Sequence, residues 1–139
     1  MIGLLPLLRS MPRCFGAVAT ILLPFIASGQ EFHEHALGAF ITESGVTLPA
    51  ARIRYATYGH LNASRDNAIL LPSHYMADGH GYEWLIGKDK ALDPDRYFLI
   101  ATELFGNGHS SSPSNTPEPL HGPRFPVMTI RDNVAAVHH

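Results

Sequence analysis

A chain of 139 residues, 45% apolar and 16% charged, has room for one globular domain and is not the composition of a disordered polypeptide. Its formal charge is −2 and its basic residues form no cluster, which excludes a nucleic-acid surface as its organising feature. The single cysteine, Cys14, lies in the first thirty residues, so the remainder has no disulfide and no thiolate metal site.

Taken in order, residues 1–29 differ from all that follows. Arg9 and Arg13 precede a nearly uncharged stretch from Cys14 to Ile26, and Ala27-Ser28-Gly29 supplies small residues. A basic start, an apolar centre and a small-residue end predict a secretory signal peptide over residues 1–29, hence a secreted or periplasmic location. The apolar centre is short and Pro24 interrupts it, so no stable membrane anchor is expected. The alternative is an upstream extension, with Met11 as a second possible start. Residues 30–139 keep eight basic against twelve acidic side chains, a net −4.

His33-Glu34-His35 invites a metal reading, but spacing supplies no third ligand, and a solvated terminus is the expectation there, with no metal site. Residues 39–42 and 51–58 predict two strands joined by a turn around Ser44-Gly45 and Pro49. In the second, Ile53, Tyr55 and Thr57 alternate with Arg52, Arg54 and Ala56, the period of a half-exposed strand. The pair is expected as an antiparallel edge beside parallel strands.

The stretch 67–81 organises the chain. Residues 68–71 form a continuous apolar run that stops at Pro72, and residues 73–81 turn abruptly small, polar and glycine-bearing. A run apolar on both faces predicts a strand in the middle of a parallel sheet, and ligands bind beyond the carboxyl ends of such strands. The loop 73–81 is therefore the first place to look for chemistry, the other reading being a plain surface connection. Residues 82–86 predict a short helix, with Tyr82 and Trp84 packing it. Leu92-Asp93-Pro94-Asp95 predicts a turn, and residues 97–101 a second buried strand. Strand, crossover and strand make a parallel unit, so the fold class is α/β.

Residues 103–124 are rich in Gly, Ser, Asn and Pro, a composition that suits either a functional loop or a low-complexity linker. Thr129 with Asp132 three later predicts a capped helix over residues 129–139, with Ile130, Val134 and Val137 on one face.

These blocks together resemble a known family. Tyr55-x-Thr57-Tyr58-Gly59-x-Leu61-Asn62, Asp66-Asn67-Ala68, Trp84-Leu85-Ile86-Gly87, the run 90–98, Phe105-Gly106-Asn107-Gly108 and the run 122–133 are similar to the homoserine O-acetyltransferase-like branch of the α/β-hydrolase superfamily. The resemblance covers residues 37–139 and implies the N-terminal part of an α/β-hydrolase fold, a mostly parallel sheet with an antiparallel N-terminal edge. Members act by acyl transfer through a serine on a Gly-x-Ser-x-Gly turn or a close variant of it, with an aspartate and a histidine later in the sequence. The nearest string here is Gly108-His109-Ser110-Ser111-Ser112, which lacks the last glycine and is followed by Pro113 and Pro117 where a helix must start. The resemblance thus implies a chain that ends before its nucleophile.

It also implies half of a site. The loop after the strand at 68–71 supplies a backbone oxyanion donor in this superfamily, which falls on Met76, with Tyr75 as the second candidate. The loop containing Gly106, Asn107, Gly108 and Ser110 resembles a wall of the active site. No resident cofactor is implied, acetyl-CoA being the acyl donor if the enzyme is a transferase. The expected partner is a small-molecule ester or acyl substrate. Export favours hydrolysis, since acetyl-CoA is a cytosolic metabolite. The alternatives are a catalytically inactive truncated product or binding remnant, and a metal or ligand module built on the nine histidines.

Overall fold

The computed structural model describes residues 30–139; the expected signal peptide at 1–29 lies outside the described residues. Strands β1 (Glu31–Ile41), β2 (Thr47–Tyr58), β3 (Ala68–Pro72) and β4 (Phe98–Thr102) precede a 3-10 turn at Gly122–Arg124 and helix α1 (Ile130–His138). They form one mixed sheet in the order β1-β2-β4-β3. The β3–β4 pair is parallel, and β1–β2 and β2–β4 are antiparallel, so the hairpin flanks the parallel pair as expected.

The hairpin is longer than the sequence pattern indicates. His33-Glu34-His35 lies within β1 and is not a solvated terminus. His33 Nε2 is 3.2 Å from Thr57 Oγ1, and its ring stacks on Tyr55 with centroids 5.1 Å apart. Among the described residues no group of three or more His, Cys, Asp or Glu side chains is disposed to hold a metal ion. The turn is confined to Thr42–Val46, closed by the Thr42 carbonyl and hydroxyl, and Pro49 sits inside β2. Pro49 is tolerated there because the register slips around it: Gly38 pairs with Ala51 but Phe40 with Leu48. β1 has its own irregularity between Ala36 and Gly38, where Gly38 has φ +69°. Each bulge adds a residue, so Leu37 and Phe40 on β1 and Leu48 and Ala51 on β2 all reach one core, with Ile53, Phe105 and Ala136.

The opposite face of the sheet carries a second core of Ala56, Tyr58, Leu99 and Ala101, with Phe32, Ile69 and Leu71 against it. β2 is therefore packed on both faces. Arg54, expected on a solvent side, is only 25% exposed and lays its guanidinium 3.9 Å from the Phe32 ring centroid.

β3 is not a central strand of the described sheet. It pairs only with β4, alternates exposed and half-buried residues, and leaves Leu70 50% exposed. Residues 82–86 form consecutive turns and no helix, ending in an isolated bridge from Ile86 to Leu92. Five residues between Gly81 and Gly87 offer too few hydrogen bonds to offset helix nucleation. Trp84 is accordingly 72% exposed and does not pack a helix.

Helix α1 begins at its expected cap. The Thr129 hydroxyl accepts from the Asp132 amide (3.1 Å), and the Asp132 carboxylate accepts from the Thr129 amide (2.8 Å), a capping box. Its buried residues are Asp132 and Ala136, while Ile130 and Val134 are 84% and 63% exposed, so much of the apolar stripe is uncovered. No helix among the described residues is long and apolar enough to cross a membrane.

Candidate active-site cleft

The loop after β3 begins by prolonging the sheet. The Ser73 amide donates to the Thr102 carbonyl (2.9 Å), one step beyond the β3–β4 ladder, and the Tyr82 hydroxyl donates to the Pro72 carbonyl (2.6 Å). The loop then turns back. The Ala77 amide donates to the His74 carbonyl (3.0 Å), with Met76 between them at φ +61°. A left-handed conformation costs an L-residue roughly 1–2 kcal/mol, so the surrounding contacts must hold it. Tyr75 and Met76 are each 91% exposed at the tip, and their amides donate to no acceptor among the described residues.

Behind the tip the loop is anchored. The Gly79 amide donates to Glu103 Oε1 (3.2 Å), and the Gly79 carbonyl accepts from Gln30 Nε2 (3.3 Å) and the Tyr58 hydroxyl (3.4 Å). Burial, then the charges of Glu83 and Asp78, push the Tyr58 hydroxyl up to about 12, so it remains a donor at neutral pH. His80 Nδ1 is 2.7 Å from Glu83 Oε1, and that hydrogen bond raises the imidazole above its ordinary value. His74, at the strand end, sets its ring edge-on to Tyr82 and, among the described residues, pairs with no carboxylate that would make it a base.

The opposite wall is the loop after β4. Far from being a linker, it is cross-tied at nearly every residue. Asn107 Oδ1 accepts from the amides of His109 (3.0 Å) and Ser110 (3.1 Å). Asn115 Nδ2 donates to the carbonyls of Gly108 (3.0 Å) and Ser110 (3.0 Å), and Ser112 Oγ accepts from the Gly108 amide (2.8 Å). Ser110 Oγ and Ser111 Oγ accept from the Arg54 (3.0 Å) and Arg52 (2.9 Å) amides, which stitches the loop to β2. Asn133 Oδ1 on α1 accepts from the Phe105 amide (2.8 Å).

Between the two loops lies an open cleft of about 560 Å³. Tyr75, Met76, Gly106 and Asn107 all line it, as does His109. Gly108 and Ser110 are outside that lining, and Ser110 is fully buried with its hydroxyl on the Arg54 amide. Sequence reasoning missed the buried Glu103 and the half-buried Arg54 beside it, which tie the two cleft loops to the sheet. The one signal for Glu103 was an acid placed two residues after the apolar run 97–101.

A parallel pair with an antiparallel hairpin edge and a loop of free amides at the carboxyl end of β3 is the framework of an α/β-hydrolase, and that is the fold of this chain. No protein-family model matches the sequence. The chain is 41% identical over 103 residues to an ethyl acetate hydrolase of Pseudomonas veronii, covering 73% of this chain and 30% of that protein. It is 37% identical over 116 residues to a homoserine O-acetyltransferase of Leifsonia xyli, covering 72% and 29% respectively. An acetylester hydrolase structure from Corynebacterium glutamicum superposes with a TM-score of 0.72 at 36% identity, over 77% of this chain and 31% of that one. The chain thus matches the homoserine O-acetyltransferase-like branch of the α/β-hydrolase superfamily, and spans about 30% of the length of the curated relatives it matches.

Proposed function

We propose that this chain supplies the oxyanion wall of an acyl-transfer enzyme of the α/β-hydrolase type, acting as an exported hydrolase of short-chain esters. The observation that carries the reading is the tip at Tyr75 and Met76, which lines the cleft beyond the carboxyl end of β3 and whose backbone amides donate to no acceptor among the described residues. Acyl transfer develops negative charge on the carbonyl oxygen, and each preorganised donor aimed at it is worth roughly 2.7–4 kcal/mol. Met76 and Tyr75 are the donors in this reading, and Gly106 and Asn107 form the facing wall, with Gly108 and Ser110 behind it. The likeness to an ethyl acetate hydrolase supports hydrolysis, as does the leader-like pattern of residues 1–29, which directs the protein to a secreted or periplasmic location where water is the abundant acceptor. The likeness to a homoserine O-acetyltransferase supports the second reading, transfer from acetyl-CoA to a hydroxyl acceptor. Neither reading calls for a resident cofactor.

The test uses protein expressed from the complete reading frame, assayed with ethyl acetate and with acetyl-CoA plus homoserine. Faster turnover of the simple ester supports the hydrolase, and a clear preference for acetyl-CoA plus homoserine replaces it with the transferase. Absence of both leaves the inactive or binding product as the standing description. For the 139-residue chain alone, an activated ester that releases one equivalent of leaving group in a burst would overturn inactivity.

A further inference from the structure

We propose that the Glu103 carboxylate is a positioning residue that clasps the two walls of the cleft to each other. Glu103 directly follows β4 and is 1% exposed. Its amide donates to the Arg54 carbonyl (2.9 Å), which fixes its backbone to β2. Its two carboxylate oxygens then face opposite walls: Oε1 accepts from the Gly79 amide (3.2 Å) in the loop after β3, and Oε2 accepts from Asn107 Nδ2 (2.9 Å) in the loop after β4.

Only a carboxylate meets this demand. Both partners are donors, so the residue between them must accept on both sides, and a glutamine offers one acceptor and one donor. The approach to Gly79 is close enough that a Cβ there would lie 3.0 Å from Phe32 Cε1 and 3.3 Å from Glu103 Oε1. Arg54 Nη1, 4.0 Å from Oε1, balances the charge, and the Arg54 amide donates to Ser110 Oγ. The Ser110 amide in turn donates to Asn107 Oδ1, so the contacts close into a ring through Glu103, Asn107, Ser110 and Arg54. Gly79 lies three residues beyond Met76, and a shift of its amide moves the strained tip. Displacements of about 1 Å in such a site lower rates on the order of a hundredfold.

The consequence for turnover rests on the acyl-transfer reading; the clasp itself does not. The test compares Glu103→Gln with the swapped pair Glu103→Gln/Asn107→Asp, in protein from the complete reading frame. In the swapped pair the new amide donates to the new carboxylate, and its oxygen still accepts from Gly79, so every bond returns with one reversed. Glu103→Gln should lower kcat tenfold to a hundredfold with KM changed less than about threefold, and should speed hydrogen exchange at the Gly79 amide. The swapped pair should restore kcat to within about threefold and slow the exchange again. Unchanged kcat and exchange in Glu103→Gln overturn the proposal, as does a folded swapped pair that restores neither. If the parent protein turns over no ester or acyl donor, the functional reading fails and Gly79 exchange alone decides the clasp. Should Glu103→Gln not fold, Asn107→Ala decides by the same readouts: faster exchange at Gly79 supports the clasp, and exchange as in the parent overturns it.

Discussion

The Asp132 carboxylate, in the first turn of α1, accepts a hydrogen bond of 2.7 Å from the amide of Glu43, 89 residues earlier in the chain. The same carboxylate closes the capping box with Thr129. One buried acid therefore starts the helix and ties it to the β1–β2 turn, and α1 in turn holds, through Asn133, the amide of Phe105, which lines the cleft.

Asp132→Asn should destabilise the protein by about 1–3 kcal/mol at neutral pH, as a buried carboxylate that accepts from three donors is replaced by a weaker acceptor. Burial pushes the Asp132 carboxyl up, but hydrogen bonds from the Thr129 amide, the Glu43 amide and the Thr129 hydroxyl outweigh it and hold the group below its ordinary value. A lowered folded value means that the stabilisation is complete above the usual carboxylate range and is lost as pH falls through and below it. Urea titrations of both proteins across that range should show the gap closing in acid; a gap independent of pH would refute the assignment.

Met76→Ala and Tyr75→Ala should change kcat/KM on a short acetate ester by less than about threefold, because the proposed donors are backbone amides and both side chains are exposed. Met76→Gly should be as stable as the parent or more so, since glycine adopts φ near +61° without the cost an L-residue bears. A hundredfold loss in Met76→Ala would move the role to the thioether side chain.

Ser110→Ala should cost about 1–3 kcal/mol in thermal or urea unfolding by leaving the buried Arg54 amide without its acceptor. The hydroxyl should resist serine-directed phosphonate probes. Labelling of Ser110, read by peptide mass spectrometry, would contradict its structural role.

Gly59→Ala should be among the most damaging single-methyl additions in the chain. Gly59 has φ +73°, and a Cβ there would sit 2.3 Å from the Tyr97 carbonyl oxygen and 2.5 Å from that of Pro94. Left-handed strain alone costs roughly 1–2 kcal/mol, and the clash with two backbone atoms adds to it. A melting temperature within a few degrees of the parent would show that the segment 59–66 can move aside.

Leu70, Ile130 and Val134 expose apolar surface beside the unpaired edge of β3. The 139-residue chain should therefore self-associate as its concentration rises, and Val134→Glu should reduce that association, measured by light scattering. Equal scattering from parent and variant would show that this face is not responsible.

Where local chemistry dominates, the structure was legible in the sequence. Thr129 and Asp132 announce a helix start because capping acts within four residues, and the apolar runs at 68–71 and 97–101 announce a parallel pair because few other arrangements bury them. The β1–β2 hairpin was underestimated because bulges broke the period-two pattern and brought Pro49 inside a strand. The helix expected at 82–86 was overestimated because its spacing matched by chance over a segment too short to nucleate. In the cleft, Tyr75, Met76, Gly106 and Asn107 were visible through resemblance, whereas Glu103 and Arg54 were hidden. Apart from the Glu103–Asn107 bond, their contacts with the cleft loops join residues 24 to 56 apart, which no local pattern encodes.

The paired bulges of the hairpin reach further than the core they serve. With one extra residue in each strand, β1 and β2 stay in phase at both ends, so Phe32 emerges beneath Arg54 while Leu37 and Phe40 point the other way. Losing a residue from one bulge alone would invert the parity of one strand against its partner. Phe32 and His33 would trade faces, and the guanidinium balancing Glu103 would lose its aromatic floor. An insertion or deletion near residues 38 or 49, remote from the cleft in sequence, would thus reach it through a change of phase along the sheet.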